Sequence, residues 1–371
     1  MTQPLDICIR GGGIVGHTLA LLLARARLRV GLVTQAAPQT GAPDVRAYAL
    51  NAQSKALLDS LRCWPDAQHA TEVLSMQVKG DAGGEVNFDA RALSVSGLTW
   101  IVDVPVLEAQ LRDAVRFQPL IEVLDAPRNA ALTVICEGKT SSTRAEFGIE
   151  FEVTPYPQTA LAARVTGEAP HGQVARQWFT DGEILAFLPL DGPQGHTVAV
   201  VWSVPHARAQ ALQAMSPEDF CQQLTQASEG CLGKIQLSSE RATWPLQMAI
   251  TEQWAGVHQG KAWALAGDAA HTLHPLAGQG LNLGLADAAV LADTLQHREY
   301  WRAVGDEKLL RRYARARKAD VLIMGAAMDG LQKLFSQTGA PWKNLRNWGM
   351  SGFERSGPLK QWVAKQAMGF K

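Results

Sequence analysis

A run of glycines near the start of the chain has the spacing of a phosphate-binding turn. Gly11-Gly12-Gly13-Ile14-Val15-Gly16 reads Gly-x-Gly-x-x-Gly and follows a short β-favouring segment, residues 5–10. Glycines at this spacing permit a tight turn, and they let the backbone approach a pyrophosphate at the N-terminus of the next helix, where N–H groups are free. The pattern predicts that Gly11, Gly13 and Gly16 hold a dinucleotide. A glycine-rich turn without a ligand is the alternative.

A second pair of segments, later in the chain, could contact the same ligand. Gly267-Asp268-Ala269-Ala270-His271 follows a predicted strand, and the run His274-Pro275-Leu276-Ala277-Gly278-Gln279-Gly280-Leu281-Asn282 comes soon after it. The Asp268 carboxylate could accept a hydrogen bond from a sugar-alcohol hydroxyl, or it could cap a helix. The positive end of the helix that begins near residue 280 could stabilise charge developing on a flat, electron-accepting ring.

Two features limit these interpretations. A dinucleotide site of this kind has an acidic residue at the end of its second strand, which binds a ribose hydroxyl. Thr34 and Gln35 stand there instead, and a neutral side chain makes a weaker bond than a carboxylate does. His271 and His274 are spaced like metal ligands, but no third ligand at a suitable spacing accompanies them, so we expect no metal.

The elements around these residues predict an α/β fold. A strand at 5–10, a helix at 14–28 and a strand at 28–34 would form a βαβ unit with a right-handed crossover. Residues 151–204 contain short apolar runs broken by Pro and Gly, which is typical of an antiparallel sheet with one covered face. A strand at 263–267 and helices near 280–297 and 306–335 follow.

The order of these elements predicts a discontinuous domain. We expect a Rossmann-like dinucleotide-binding domain built from residues 1–150 and 251–300. A β-rich substrate domain, residues 151–250, would be inserted between the two parts, and residues 301–371 would form a C-terminal helical region.

Composition excludes several other classes of protein. The 35 basic residues balance the 35 acidic ones, so a global basic field for nucleic acid is absent. With 371 residues, 47% of them hydrophobic, the chain can bury a sizeable core. The apolar run 19–24 is too short to span a bilayer. The scattered cysteines form no Cys-x-x-Cys pair, which predicts reduced thiols in a cytoplasmic protein; they are Cys8, Cys63, Cys136, Cys221 and Cys231.

The later segments carry a family resemblance. Gly-Asp-Ala-Ala-His at 267–271, followed by His-Pro-Leu-Ala-Gly-Gln-Gly-Leu-Asn at 274–282, resembles the signature of the ubiquinone-biosynthesis hydroxylases. These are FAD-dependent aromatic monooxygenases of the para-hydroxybenzoate hydroxylase type. The similarity covers most of the chain and includes Asp44-Val45-Arg46, Tyr156-Pro157-Gln158-Thr159-Ala160, Leu188-Pro189-Leu190, Val201-Trp202-Ser203 and the segment from Tyr313 to Lys318.

The resemblance implies FAD as the cofactor of a Rossmann-like FAD-binding domain. Gly11, Gly13 and Gly16 would hold the FAD pyrophosphate, and Asp268 would bind the ribityl or pyrophosphate region. Pro275 and Gly278 would line the flavin ring, and no side chain is assigned a catalytic role because the cofactor carries the chemistry. The other positions expected around the cofactor are Thr34, Gln35, Arg46, Gly267, Gln279, Gly280, Leu281 and Asn282.

The resemblance also implies a reaction. NADPH or NADH would reduce FAD, the reduced flavin would form a C4a-hydroperoxide with oxygen, and the ring of a hydrophobic polyprenyl phenol would be hydroxylated in ubiquinone biosynthesis. For such a substrate, a basic helix face followed by apolar residues 321–328 predicts peripheral contact of a cytoplasmic protein with the inner face of an anionic membrane, or with a biosynthetic partner. A solvated helix face is the alternative. The face comprises Arg311, Arg312, Arg315, Arg317 and Lys318.

Four departures from the family pattern keep other functions open. Arg10 replaces an apolar residue, Glu137 replaces the aspartate that opens the third family motif (137–144), Thr34 replaces the acid, and the stretch 118–131 is abbreviated. These changes predict weaker FAD retention than in relatives. They also motivate an alternative, a catalytically impaired structural subunit of a quinone-biosynthesis assembly. An NAD-dependent dehydrogenase would share only the first glycine motif.

Overall fold

The structure is a computed structural model. It describes residues 4–34, 44–80, 83–272, 279–336, 349–350, 352–357 and 360–361. Within the last long helix, the side chains of residues 324, 326–329 and 331–336 fall outside the description. Helices and strands alternate through the chain, as expected for an α/β fold.

The elements have the following bounds. The strands are β1 (Leu5–Arg10), β2 (Val30–Val33), β3 (Ala47–Leu50), β4 (Ala70–Val73), β5 (Ser75–Gly80), β6 (Glu85–Asp89), β7 (Thr99–Asp103), β8 (Ile121–Leu124), β9 (Ala130–Ile135), β10 (Phe151–Gly167), β11 (Val174–Thr180), β12 (Glu183–Pro189), β13 (Thr197–Pro205), β14 (Ile235–Leu237), β15 (Ala242–Thr251), β16 (Ala255–His258), β17 (Lys261–Leu265) and β18 (His271–Thr272). The helices are α1 (Ile14–Arg25), α2 (Ala52–Ser60), α3 (Val104–Arg116), α4 (Thr143–Glu146), α5 (His206–Ala214), α6 (Pro217–Ala227), α7 (Gln279–Gln296) and α8 (Glu307–Ser336).

A six-stranded sheet in the order β16-β17-β9-β1-β2-β8 forms the centre of the first unit. Its pairs from β17 to β8 are all parallel. Helix α1 crosses from β1 to β2 and is buried on nearly every side, because it packs against the sheet, α3 and α7. This confirms the predicted βαβ unit. The strand expected at 263–267 is β17 (Lys261–Leu265), which begins and ends two residues earlier than predicted.

A nine-stranded sheet forms the second unit, with β10 and β13 at its middle. The first short runs expected within 151–204 are joined in one strand, since β10 runs unbroken from Phe151 to Gly167. The two prolines of this segment do not end the strand, because the register with β15 shifts between Pro155 and Thr159 and absorbs the irregularity. Helices α5 and α6, which the sequence did not predict, cover one face and bury Phe187, Trp202 and Phe220.

Two strands of the range 1–150 join this second unit. Strand β5 pairs in parallel with β11, and β6 pairs with β5. A three-stranded sheet, β3-β7-β4, lies beside them and packs through Val73 and Ile101 against Ala199 of β13. Residues 75–89 thus lie apart from the sheet that residues 1–150 were expected to build.

The helices predicted near 280–297 and 306–335 are confirmed as α7 and α8. Helix α7 approaches α1 closely, since a Cβ added at Gly284 would lie 2.8 Å from the Val15 side chain. On α8, the buried Tyr313 hydroxyl donates a 2.7 Å hydrogen bond to the Leu265 carbonyl and so fastens the helix to β17. Among the described residues, no helix combines the length and the apolar character that crossing a bilayer requires.

Candidate functional site

A cleft of about 790 Å³ lies between the two units, within the usual size range of a ligand site. Its first wall consists of the turn between β1 and α1 and the turn that follows β17. Its second wall consists of residues 244–247 of β15. Tyr48 of β3 and the first turn of α7 also line it. The cleft therefore brings together the glycine turn, Asp268 and the start of α7, as the sequence predicted.

The glycines of the first turn have two roles: some are required by the fold, and one leaves space for a ligand. Gly11 has φ +121°, and a Cβ there would lie 2.4 Å from the Cys136 carbonyl; a Cβ at Gly16 would lie 1.9 Å from the Gly11 oxygen. Both are therefore required by the fold itself. Gly13 differs, because an added Cβ would have no atom within 4 Å among the described residues beyond its two chain neighbours. No side chain caps the helix that follows it. Open space beside uncapped N–H groups fits a pyrophosphate.

The turn after β17 lies beside the first turn because β17, β9 and β1 are parallel neighbours. Gly267 has φ +65°, and a Cβ there would meet the Val15 side chain at 3.3 Å. Asp268 is exposed to the cleft. The surrounding protein partly desolvates its carboxylate, which raises the pKa of Asp268. The carboxylate is positioned to accept hydrogen bonds from hydroxyl groups of a ligand.

Asn282, predicted as a flavin contact, has its side chain fully engaged with protein. Its Oδ1 accepts from the Asn51 backbone N–H at 3.0 Å and from the Ser54 hydroxyl at 2.7 Å. Its Nδ2 donates to the Ala49 carbonyl at 2.9 Å and to Gln279 Oε1 at 3.3 Å. An amide side chain offers no further bonds. Asn282 therefore holds the start of α7 against β3, and its side chain is not free for a ligand.

Arg46 lies on the cleft wall with its charge already paired. Its guanidinium donates to the Asp44 carboxylate at 2.6 Å and lies 3.6 Å from Glu108. Hydrogen bonding to Asp44 raises the pKa of Arg46. Tyr48, which sequence reasoning missed, lines the same wall, and burial raises the pKa of its phenol. Its position two residues after Arg46, on the same side of an extended segment, is the signal that could have revealed it.

The other predicted positions fall into two groups. Gly280 and Leu281 line the cleft at the first turn of α7, and Thr34 packs against Gly12, where an added Cβ would lie 2.6 Å from its methyl group. Gln35, Pro275 and Gly278 lie outside the described residues. For every predicted position, contact with FAD stays a prediction.

Two of the departures from the family pattern face each other. Glu137 follows β9 and lies 3.4 Å from the Arg10 guanidinium at the end of β1. It also accepts hydrogen bonds from the hydroxyls of Ser141 and Thr143, each at 2.6 Å. Burial pushes the pKa of Glu137 up, but these hydrogen bonds and the Arg10 charge outweigh burial and hold its pKa below the ordinary value. Arg10 also pairs with Glu146, so its charge is compensated twice.

The third motif is also tied to the Asp268 turn, through Arg144. Its guanidinium donates to the carbonyls of Gly138 and Lys139 on one side and of Ala269 on the other. The ring of Phe151 lies 3.7 Å from the guanidinium carbon. Arg144 thus joins the two turns that border the cleft, a role that its place in the motif did not reveal.

Comparison with known proteins identifies the family. The chain is 32% identical to the 3-demethoxyubiquinol 3-hydroxylase of Escherichia coli (strain K12), over 99% of each chain. Residues 125–324 match the sequence family described as the FAD binding domain. The chain belongs to the FAD-dependent hydroxylases of ubiquinone biosynthesis. Another relative of this hydroxylase is ubiquinone hydroxylase UbiL of Rhodospirillum rubrum, 31% identical over 98% of this chain and 89% of the relative.

A solved structure agrees on the fold. The p-nitrophenol 4-monooxygenase PnpA of Pseudomonas putida DLL-E4 superposes on the present chain with a TM-score of 0.77. The alignment covers 99% of both chains, and their sequences are 17% identical. Family membership confirms that the chain is a monooxygenase. It also confirms FAD as the cofactor, with a reduced nicotinamide as the reductant. The dehydrogenase alternative is thereby removed.

Replacing Gly13 by alanine is expected to weaken FAD binding by roughly tenfold or more, or about 1.4 kcal/mol. Beyond its chain neighbours, the added methyl group meets no atom of the described part of the chain within 4 Å, so we expect it to occupy ligand space and leave the fold intact. Titration of the apoprotein with FAD, followed by flavin fluorescence, measures the affinity, and thermal unfolding checks the fold. Gly330→Ala on α8, where an added Cβ also has no described neighbour within 4 Å, is the matched control. Unchanged FAD affinity in Gly13→Ala would contradict the assignment.

Replacing Glu137 by glutamine is expected to make stability less sensitive to acid. Because the folded-state pKa of Glu137 is depressed, its stabilising contribution is present above the ordinary carboxyl pKa and is lost as the pH falls through the folded-state value. The free energy of unfolding should therefore fall further in the wild type than in Glu137→Gln as the pH is lowered from about 6 to about 3, across the ordinary carboxyl pKa. Glu307→Gln, at an exposed ion pair with Arg311, should follow the wild type. Parallel curves for Glu137→Gln and wild type would count against the shift.

Proposed function

We propose that the chain hydroxylates the aromatic ring of a hydrophobic prenylated phenol on the way to ubiquinone, using FAD, oxygen and NADPH or NADH. The observation that carries this proposal is the full-length similarity to a relative whose name states 3-demethoxyubiquinol hydroxylation. The cleft supports it, since glycine turns border one side and the apolar residues Trp244 and Leu246 border the other.

The residues of the first wall would hold the cofactor. Gly11, Gly13 and the start of α1 would bind the pyrophosphate, Asp268 would accept from hydroxyl groups, and the backbone of Gly280 and Leu281 would lie beside the ring. The flavin supplies the redox chemistry and the activation of oxygen. Arg46, fixed by Asp44 and Glu108, would keep a positive charge at this wall without being free to move.

The second wall would receive the phenol. Trp244 and Leu246 continue into a small apolar cluster with Tyr156 and Ala160, which excludes water from this side of the cleft. The raised pKa of Tyr48 keeps its hydroxyl protonated at neutral pH. Tyr48 can therefore donate a hydrogen bond to an oxygen substituent of the ring and so help to orient it.

A lipid-like substrate favours contact between the protein and a membrane surface, and α8 carries exposed side chains suited to that contact. Arg311, Arg312 and Arg315 are exposed, and Ile323 further along is 73% exposed. Tyr300 and Trp301, just before the helix, are 93% and 67% exposed. Exposed aromatic and basic side chains together are typical of interfacial contact. Arg317 does not belong to the predicted basic face, because its guanidinium is buried against Asp287.

With added FAD, the purified protein is expected to oxidise NADPH or NADH faster when a short-chain prenylated phenol or demethoxyubiquinol is present. The product should carry one additional oxygen on its ring, because one oxygen atom is transferred per turnover. Absorption spectroscopy under anaerobic conditions would follow flavin reduction, and mass spectrometry would identify the product. The same mixture without the phenol is the control. Bound FAD that never becomes reduced would favour a structural subunit and contradict the proposal.

Vesicle binding tests the membrane contact. Replacing Arg311, Arg312 and Arg315 together by glutamine should weaken binding to anionic phosphatidylglycerol-containing vesicles, at about 1 kcal/mol per lost charge. Co-sedimentation measures the bound fraction. The matched control replaces three other exposed arginines, Arg62, Arg91 and Arg116, by glutamine. Wild-type protein that stays in the supernatant, or equal losses in both triple variants, would contradict the contact.

A further inference from the structure

A fully buried charge cluster lies behind the cleft. Asp287 of α7 and His271 of β18 have no exposed side-chain surface, and the Arg317 side chain of α8 is 4% exposed. None of the three lines the cleft. Burying charged groups is costly unless each is paired and hydrogen-bonded, so the contacts of this cluster have to be specific.

The Asp287 carboxylate is the centre of the cluster. Its Oδ2 accepts from the Gly267 backbone N–H at 2.8 Å and contacts His271 Nε2 at 2.6 Å. Its Oδ1 accepts from Arg317 Nε at 2.7 Å. Burial pushes the pKa of Asp287 up, but His271 and Arg317 outweigh it and hold the pKa below its ordinary value. An ionised carboxylate therefore serves three donors from three separate parts of the chain.

One of these donors belongs to the turn that presents Asp268. Gly267 has positive φ, and its N–H is directed back toward α7, away from the cleft, while Asp268 is exposed in the cleft. The remaining neighbours are also fixed. The His271 ring stacks on Trp254 at 5.1 Å between centroids, and Arg317 also pairs with Asp320.

We propose that Asp287 is a positioning residue for FAD, which holds the Gly267–Asp268 turn in its binding conformation without touching the cofactor. The inference rests on the FAD position proposed above. An asparagine at 287 has one carbonyl oxygen and one NH₂ group, so it cannot accept from Gly267, His271 and Arg317 together. At least one donor then faces the NH₂ group, and the negative charge that holds the cluster together is lost. The turn is therefore held less firmly, and the cofactor has to order it on binding.

The test compares Asp287→Asn with Asp293→Asn, an exposed aspartate on the same helix. Asp287→Asn is expected to raise the dissociation constant for FAD by roughly tenfold or more and to shift the ³¹P resonances of the FAD pyrophosphate. Asp293→Asn should change neither. Lower thermal stability with wild-type FAD affinity and wild-type ³¹P resonances would show a purely structural role and overturn the inference.

Two further variants keep the outcomes separate. If Asp287→Asn does not fold, His271→Phe replaces it in the test. This variant keeps an aromatic ring beside Trp254 and removes one donor to Asp287. Its FAD affinity should also be lower than that of the wild type, and an unchanged affinity overturns the inference. Asp268→Ala tests the proposed FAD position. If the FAD affinity of Asp268→Ala is unchanged, both the proposed FAD position and the inference about Asp287 are wrong. If Asp268→Ala weakens binding but Asp287→Asn does not, only the inference fails.

Discussion

Parallel pairing of β17, β9 and β1 is the constraint on which the site depends. Parallel strands end at the same edge of a sheet, and ligands of such sheets bind outside the carboxyl ends of the strands. Here three segments far apart in sequence meet at one edge: the glycine turn after β1, Glu137 after β9 and Gly267 after β17. Polar contacts hold these segments to one another, since Arg10 pairs with Glu137 and Arg144 donates a hydrogen bond to the Ala269 carbonyl.

The second unit gives this edge its opposite wall. Long-range antiparallel pairing of β10 with β13 and β15 builds this sheet, and after β15 the chain returns to the first sheet through β16 and β17. The apolar residues of β15 are thereby held against the glycine turns. Because the proposed cofactor wall and the proposed substrate wall belong to different sheets, each wall can change in sequence without the other.

Local patterns predicted the parts of the structure that local interactions determine. Glycine spacing and apolar periodicity located β1, α1 and β2, and the later glycine run located α7. The pairing of β5 with β11 could not be predicted, because it joins half-buried edges that are distant in sequence. The charge pattern of α8 misplaced Arg317, since spacing does not reveal that a buried aspartate lies opposite one arginine of a basic run. For the same reason Asn282 looked free for a ligand, and the link between Arg10 and Glu137 was hidden.

Burial affects how the cysteines of this protein react with oxidants. All five are free thiols, and Cys136 lies directly behind Gly11 at the cleft. Burial raises the pKa of each one, so none is a thiolate at neutral pH. Hydrogen peroxide oxidises the thiolate form of cysteine. Because each of the five thiols is held in its protonated form, it is in the state that this oxidant attacks least.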